Sequence, residues 1–485
     1  MLEDIVKARK DKLDGLKSKG LDPYPAAVKK THTIAEAVKS FVILSRLKKK
    51  VSVVGRVLGF RDQGKLIFAD VDDGTGRIQI LLTRAKTEDF DTVKSGLDIG
   101  DFIEASGTLI KTKKGEKSVE AKSARIVVKS MRPMPSGFYG IEDTETRLRK
   151  RYLELALNPE TREMFRKKTV FWRTFRSSLE DAGFLEVETP VLERTPGGAE
   201  AEPFTTHYNA LDTDFYLRIS LEISLKKLLV GGFPKIFEIG RIFRNEGIDA
   251  EHLQDYTQLE FYWAYADYND LMKFIEKTYK RVIKATCGSL VTEWKDYKID
   301  WSGNWKTVDY FTVFKEKTGL DLNGASAGDL IKKAKESGIK VDPSLGKGRL
   351  IDLLFKKLIR PEMIQPCFLI NPPIEIEPLA KRIAGEENKV ARFQVVACGS
   401  ELGKGFSEAN DPIDERERFE DQMKLREKGD AEAQELDEDF LEALEYGMPP
   451  AAGFGISERL FAVLVNKPIR ETVFFPAMKN TNEND

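Results

Sequence analysis

Apolar positions follow two different periods along this chain. Between residues 50 and 130 they alternate with polar ones in short runs: VSVVGRVLGF, KLIFADVDD, RIQILLT, DFIEASGTLI and SVEAKSARIVV. Alternation puts every second side chain on one face, the mark of a half-buried strand. The turns DQGK, DDGTG and KKGEK separate these runs. Five such strands over about 80 residues predict a small closed barrel. From about residue 145 the texture changes. PETREMFRKKTVFWRTFRSSLEDA (159–182) has helical spacing, with Gly183 as its stop. The runs FLEVETPVL, FYLRIS, KIFEIGRIF and TQLEFYWAYADY then read as strands, and DLMKFIEKTYKRVIKAT as a helix. Residues 288–362 read as amphipathic, lysine-rich helix. CFLIN and FQVVACGSEL read as strands, about 411–446 as one charged helix, and GFGISERLFAVLVN as a glycine turn opening an apolar helix. Helices flanking a mostly antiparallel sheet make this part an α+β domain.

The expected layout is a helical arm at 1–40, broken by Pro23 and Pro25, a barrel at 41–135, a linker at 136–158 and the α+β domain at 159–485, ending in a polar tail, KNTNEND. A length of 485 residues allows two to four domains, and 41% hydrophobic with 32% charged residues fits a soluble globular chain. No apolar run approaches the roughly 20 residues of a membrane helix. The start, MLEDIVKARKDKLDGLKSKG, has no apolar signal-peptide core. Cys287, Cys367 and Cys398 are scattered and form no CxxC, so neither disulfides nor a zinc site are expected, and a cytoplasmic location fits. The net charge is −1, yet residues 1–150 carry 31 Lys and Arg against 21 Asp and Glu. A basic front carrying a barrel of the oligonucleotide-binding (OB) type points to an anionic partner.

The densest chemistry lies in FEIGRIFRNEGIDAEHLQDYTQLEFYWAY (237–265), two strands joined by a charged loop. Arg244, Asn245 and Glu246 stand at the loop's edge, where a guanidinium can grip a phosphate or carboxylate with two bonds. Glu260 and Tyr262 are two apart on the return strand and point the same way. One face therefore offers both an anion receptor and an anionic group.

FRNEG followed by His252 and Tyr256 resembles motif 2 (about 235–265) of the class II aminoacyl-tRNA synthetases. GFGISERLF resembles motif 3 (about 453–477), and GFLEVETPVL, with Pro190, resembles motif 1 (about 183–196). Their order behind a barrel is similar to subclass IIb. PGGAEAEPFTTHYNALDTDFYLRISLEISLKKLLVGGF, ELGKGFSEAND and LEFYWAYADY resemble its lysyl-tRNA synthetase branch over nearly the whole chain.

The resemblance implies an OB-fold anticodon domain before a class II catalytic domain, with lysine, ATP and tRNA(Lys) as substrates, Mg²⁺ as cofactor, and a homodimer through motif 1. It places Arg244 at the α-phosphate and the lysine carboxylate, and Arg459 at the γ-phosphate and adenine. Glu246, His252 and Tyr256 go to ATP, and Glu401 with Gln394 to magnesium. Gly198 and Glu222 meet the α-amino group. Glu260, Tyr262 and Glu408 meet the ε-ammonium, with Lys404 near the carboxylate. In the barrel, Arg61, Phe68, Gln79 and Glu116 read the anticodon, while KTKKGEKS and the basic arm hold backbone phosphates. Two positions depart from the pattern. Gln394 stands where a second acidic metal ligand is usual, and Lys404 where an asparagine is usual; a lysine there would repel a lysine substrate.

The acid-rich pocket argues for a cationic amino acid over the aspartyl and asparaginyl alternatives. The barrel argues against a ligase that places lysine on a protein. Arg244 together with Arg459 argues against a catalytically inactive tRNA-binding paralogue.

Overall fold

The computed structural model describes residues 2–135, 143–247, 252–342, 345–377, 379–427 and 435–479. Parts of the expected linker, motif 2 loop and charged helix, and nearly all of the polar tail, lie outside them. The chain forms two compact units, residues 1–163 and 164–485.

In the first unit, helices Leu2–Ser18, Ile34–Lys39 and Phe41–Arg46 precede the barrel. Its strands are β1 (Lys50–Asp62), β2 (Leu66–Asp72), β3 (Arg77–Thr83), β4 (Phe102–Lys111) and β5 (Lys117–Val128). They close in the order β1-β2-β3-β5-β4. Alternation drives the closure: Val51, Val53, Ile67, Ala69, Ile80, Ile103 and Val119 are all wholly buried. β4 and β5 approach so tightly at Gly107 that a Cβ there would lie 1.9 Å from the Glu120 carbonyl oxygen. The register shifts at that point, as a β-bulge does.

The second unit is built on an eight-stranded sheet. From one edge the strands are Lys306–Asp309, Cys367–Ile370, Arg392–Ala397, Ser400–Ser407, Ala451–Ser457, Asp255–Ala264, Lys235–Phe243 and Leu185–Glu186. Only the two outermost pairings are parallel. Strand period sorts the faces. Phe237, Phe261 and Phe454 sit side by side across three strands and join the core with Phe393 and Val395. Phe171 and Phe175 of helix Pro159–Asp181 and Ile275 and Tyr279 of helix Tyr268–Cys287 pack into that same core. The intervening positions face the other way: Glu238 opposite Glu260 opposite Gly455, and Tyr262 opposite Gly453. That second face carries the site.

Four expectations need correction. Residues 288–362 are not only helix: a hairpin, Val291–Trp294 with Tyr297–Asp300, and the edge strand Lys306–Asp309 precede helices Tyr310–Thr318, Ala327–Glu336 and Lys347–Leu354. These short strands lack the length that makes alternation readable. FQVVACGSEL is a hairpin, because Cys398 and Gly399 take φ of 57° and 68° and reverse the chain. Among its described residues the charged segment holds two helices, Pro412–Glu427 and Glu438–Glu445. GFGIS is strand, and the helix begins only at Arg459.

Candidate functional site

A cavity of about 940 Å³ opens on the polar face of the sheet. Its wall includes Gly198, Glu222, Arg244, Glu246, His252, Tyr256, Glu260, Tyr262, Gln394, Glu401, Lys404 and Arg459. Segments more than 200 residues apart in sequence thus meet in one depression, and both motif arginines border it.

One end is acidic and closed. Glu222 opens helix Glu222–Val230, and Glu260 and Tyr262 come from the central strand Asp255–Ala264. Glu408 follows strand Ser400–Ser407. The three carboxylates are at most 4% exposed. Glu260 accepts from Ser220 Oγ at 2.8 Å, the Leu221 amide at 3.1 Å, Tyr262 Oη at 3.0 Å and the Gln258 amide, so it is held rigidly. Lys226 reaches in from one helical turn after Glu222. Its Nζ lies 2.6 Å from Glu222 Oε1 and 2.6 Å from Glu408 Oε2, wholly out of solvent. Oε1 of Glu408 has no hydrogen-bond partner among the described residues. Glu408 does not line the cavity directly; it stands just behind Gly453. A Cβ on Gly453 would lie 2.3 Å from Glu408 Oε1 and 2.4 Å from Tyr262 Cε1. Glycine there leaves the space in which a ligand atom can meet both groups.

Glu222 and Glu408 share one lysine ammonium and Glu260 is held by neutral donors, so ionisation of all three would leave negative charge uncompensated. Burial first, then the neighbouring acids, push Glu408 well above the ordinary carboxylate range, and burial raises Glu222 too. Burial beside the same acids raises Tyr262 well above its usual value, so it stays a donor. Burial also lifts Glu415, farther behind, to about 7. A cationic ligand would restore the missing charge, since an unpaired buried carboxylate is costly.

The other end is basic and more open. Arg244 leaves strand Lys235–Phe243, donates Nε to the Ile219 carbonyl at 3.2 Å, and lies 5.8 Å from the Tyr256 ring centroid. Arg459 starts its helix on the far side, and both guanidinium charges act on Tyr256. Behind Arg459, Glu458 accepts from Lys168 Nζ at 2.6 Å and from the Thr257 amide at 3.1 Å, which fixes the turn. Gln394 donates its amide to Glu401. Despite burial, Arg392, Lys404, Arg459 and Lys356 hold Glu401 below the ordinary carboxylate range. Among the described residues no cluster of three or more His, Cys, Asp or Glu could hold a metal unaided. A single carboxylate fits Mg²⁺ of the kind that takes most ligands from phosphates and water.

Lys404 is not a bare charge facing a ligand. Its Nζ lies 3.0 Å from Glu377 Oε2, and Arg392 Nε lies 3.1 Å from the same oxygen. The expected repulsion of a cationic ligand is therefore partly offset. Sequence reading missed Glu377, Arg392 and Lys226. Lys226 left a trace, because Glu222 and Lys226 have the i,i+4 spacing of a helical ion pair; that spacing is ordinarily solvent-facing. Glu377 left none, since it sits outside any motif.

In the barrel, Arg61 pairs with Phe68, Asp70 with Gln79, and Gln79 with Ser118, so Arg61, Phe68 and Gln79 share the outer face, while Glu116 lies in the turn just before β5. Phe68 is half-buried between the wholly buried Ile67 and Ala69 and is not barrel core. The Arg61 guanidinium lies 5.9 Å from its ring. Gln79 accepts from Ser118 Oγ at 3.0 Å, and Glu116 is exposed on the β4–β5 turn.

Residues 143–479 match the family model described as tRNA synthetases class II (D, K and N), and residues 51–127 match that of the OB-fold nucleic acid binding domain. The lysine–tRNA ligase of Roseiflexus castenholzii (strain DSM 13941 / HLO8) is 42% identical over 484 residues, covering 99% of both chains. Its counterpart in Pelotomaculum thermopropionicum is also 42% identical, over 99% of this chain and 95% of its own. That of Shouchella clausii is 40% identical over 100% and 98%.

Proposed function

Because the chain belongs to the class II tRNA synthetases of the D, K and N group, we propose that it joins lysine to tRNA(Lys) through lysyl-adenylate. The observation that carries this reading is the surplus of buried carboxylate at the closed end: Glu222, Glu260 and Glu408, of which Glu222 and Glu408 share the ammonium of Lys226. An aspartate side chain would add a further anion there. A lysine side chain brings the missing cation.

The amino-acid carboxylate attacks the α-phosphorus of ATP. The carboxylate oxygen–phosphorus bond forms, the bond to the bridging oxygen breaks, and pyrophosphate leaves. The terminal ribose hydroxyl of the tRNA then attacks the acyl carbon, and AMP leaves. Neither step needs a protein nucleophile; both need placement and charge screening. Arg244 bridges the α-phosphate and the amino-acid carboxylate. Arg459 takes the γ-phosphate and covers the adenine, which stacks on Tyr256, with Glu246 and His252 against the nucleotide. Gly198 and Glu222 take the α-amino group. The φ of 79° at Gly198 brings it so near Glu222 that a Cβ would lie 2.8 Å from the Glu222 Cβ. Glu408 and Tyr262 take the ε-ammonium, while Glu260 orients Tyr262. Glu401, beside Gln394, would hold Mg²⁺, whose charge would screen the triphosphate.

On the barrel, Phe68 stacks an anticodon base while Arg61, Gln79 and Glu116 hydrogen-bond base edges, and KTKKGEKS holds phosphates. The chain works as a homodimer in the cytoplasm, meeting its partner through the motif 1 segment. Val191 and Leu192 are exposed there, and Thr189 is pinned to Glu238 by two bonds of 3.0 and 2.7 Å. The test is amino-acid-dependent exchange of pyrophosphate into ATP across the twenty amino acids. Exchange with lysine alone is expected; exchange with aspartate, or with none, overturns the reading.

A further inference from the structure

Gln394 and Lys404 face each other across neighbouring strands, Arg392–Ala397 and Ser400–Ser407. Both point into the cavity. On its other side Lys404 pairs with Gly455, which has no side chain to cover it. The Lys404 side chain is 38% exposed, whereas that of its partner Glu377 is 6% exposed. The carboxylate is therefore a buried anchor and the ammonium is the part presented to the cavity. Arg392, itself buried and also on the cavity wall, lies 3.1 Å from the same Glu377 oxygen. Arg392 and Lys404 share the single carboxylate of Glu377, so the three groups together keep one net positive charge at this wall.

The charge arithmetic of this wall is informative. A carboxylate at 394 facing a neutral residue at 404 would leave the wall two charges more negative than the glutamine and lysine present here. Two charges are the charge of one divalent cation. Glu401, the remaining candidate ligand, already spends one oxygen on the Gln394 amide.

We propose that Lys404, steered by Glu377 and Arg392, is a built-in cation that screens the phosphate–carboxylate junction in place of one divalent ion. This rests on the reading of the cavity as an ATP and lysine site. A fixed ammonium needs no assembly from solution, so the nucleotide is held with one fewer metal ion and with a shallower dependence on metal concentration. Glu377 is a positioning residue: it aims Lys404 and touches no substrate.

The test counts ions directly. The full-length protein is saturated with α,β-methylene-ATP, which cannot be cleaved at the reacting bond, and Mn²⁺ bound per site is measured by the electron paramagnetic resonance of the free ion. The Gln394→Glu/Lys404→Asn double variant should bind one more Mn²⁺ per site than the wild type. For each tenfold drop in limiting free metal its nucleotide affinity should fall by about tenfold more than that of the wild type, as one additional linked ion requires. Lys404→Met, a change on the cavity wall, should weaken nucleotide binding about tenfold at limiting metal, and Lys404→Arg should restore it. Equal Mn²⁺ counts in the wild type and the double variant overturn the proposal, as does a Lys404→Met protein that binds the analogue as well as wild type at limiting metal. If the wild type binds no analogue at all, the reading of the cavity itself falls instead.

Discussion

At the closed, acidic end of the cavity Glu222, Glu260 and Glu408 are almost fully buried, and Glu222 and Glu408 share one lysine, whereas at the basic end Lys404, Arg244 and Arg459 are partly open to solvent. The acids are kept in place by short bonds from Ser220, Tyr262 and Lys226. The cations are kept by carboxylates set behind them, Glu377 behind Lys404 and Glu458 beside Arg459. The difference follows from the ligand each end fits. A single ammonium can be fully enclosed, and enclosure sharpens selection because a buried, unpaired partner is costly. A triphosphate brings several charges, water and a metal ion, so its end has to remain accessible.

Removing a cation from the open end should have the largest effect. Arg459→Ala should slow lysine-dependent pyrophosphate exchange by about 10³-fold, the scale of a lost transition-state clamp. A fall of only a few-fold would erase the contrast between the ends. At the closed end, Glu408→Gln should raise the KM for lysine by about 10–100-fold and leave the KM for ATP nearly unchanged. Equal rises in both would place Glu408 outside the amine pocket. Gly453→Ala should act in the same direction, since its methyl would occupy the gap between Glu408 and Tyr262.

The pH dependence sharpens the comparison further. Burial pushes Glu408 and Glu222 above the ordinary carboxylate range, so a proton competes with an ammonium for the empty pocket. Lysine should bind more tightly as pH rises and should release protons, seen by calorimetry in two buffers of different ionisation enthalpy; proton uptake would contradict the assignment. Stability should move the opposite way. The folded-state pKa of Glu415, about 7, lies above its ordinary 4.5, so its contribution is full below 4.5 and is lost as pH rises toward 7. Glu415→Gln should therefore raise Tm more at roughly pH 8 than at roughly pH 5. The smallest effect belongs to the barrel. Phe68→Ala should weaken tRNA by about 5–100-fold, the worth of one stacked base, and leave pyrophosphate exchange untouched. A matching loss in exchange would tie Phe68 to folding rather than to tRNA.

The barrel strands were readable almost to the residue, because each has enough length for alternation to repeat. VSVVGRVLGF lies within β1, and RIQILLT is β3. The strands Lys306–Asp309 and Leu185–Glu186 were unreadable or misjudged because two to four residues carry no period. The hairpin at Cys398–Gly399 was hidden inside one apolar-looking run, and only its positive φ values divide it. In the site, Arg244, Glu260, Tyr262 and Arg459 were legible from spacing and motif resemblance, and they line one cavity. Lys226 and Glu377 were not legible as site residues, although one neutralises part of the amine pocket and the other anchors Lys404.

The sequence alone determined the periods of its longer strands and helices, and hence that Glu260 and Tyr262 share a face. Periodicity acts locally, through the geometry of a few consecutive residues. Which charges meet was decided only by the tertiary structure. Lys226 with Glu408 spans 182 residues and Lys404 with Glu377 spans 27, and an ion pair depends on distance in space and on the loss of water around it.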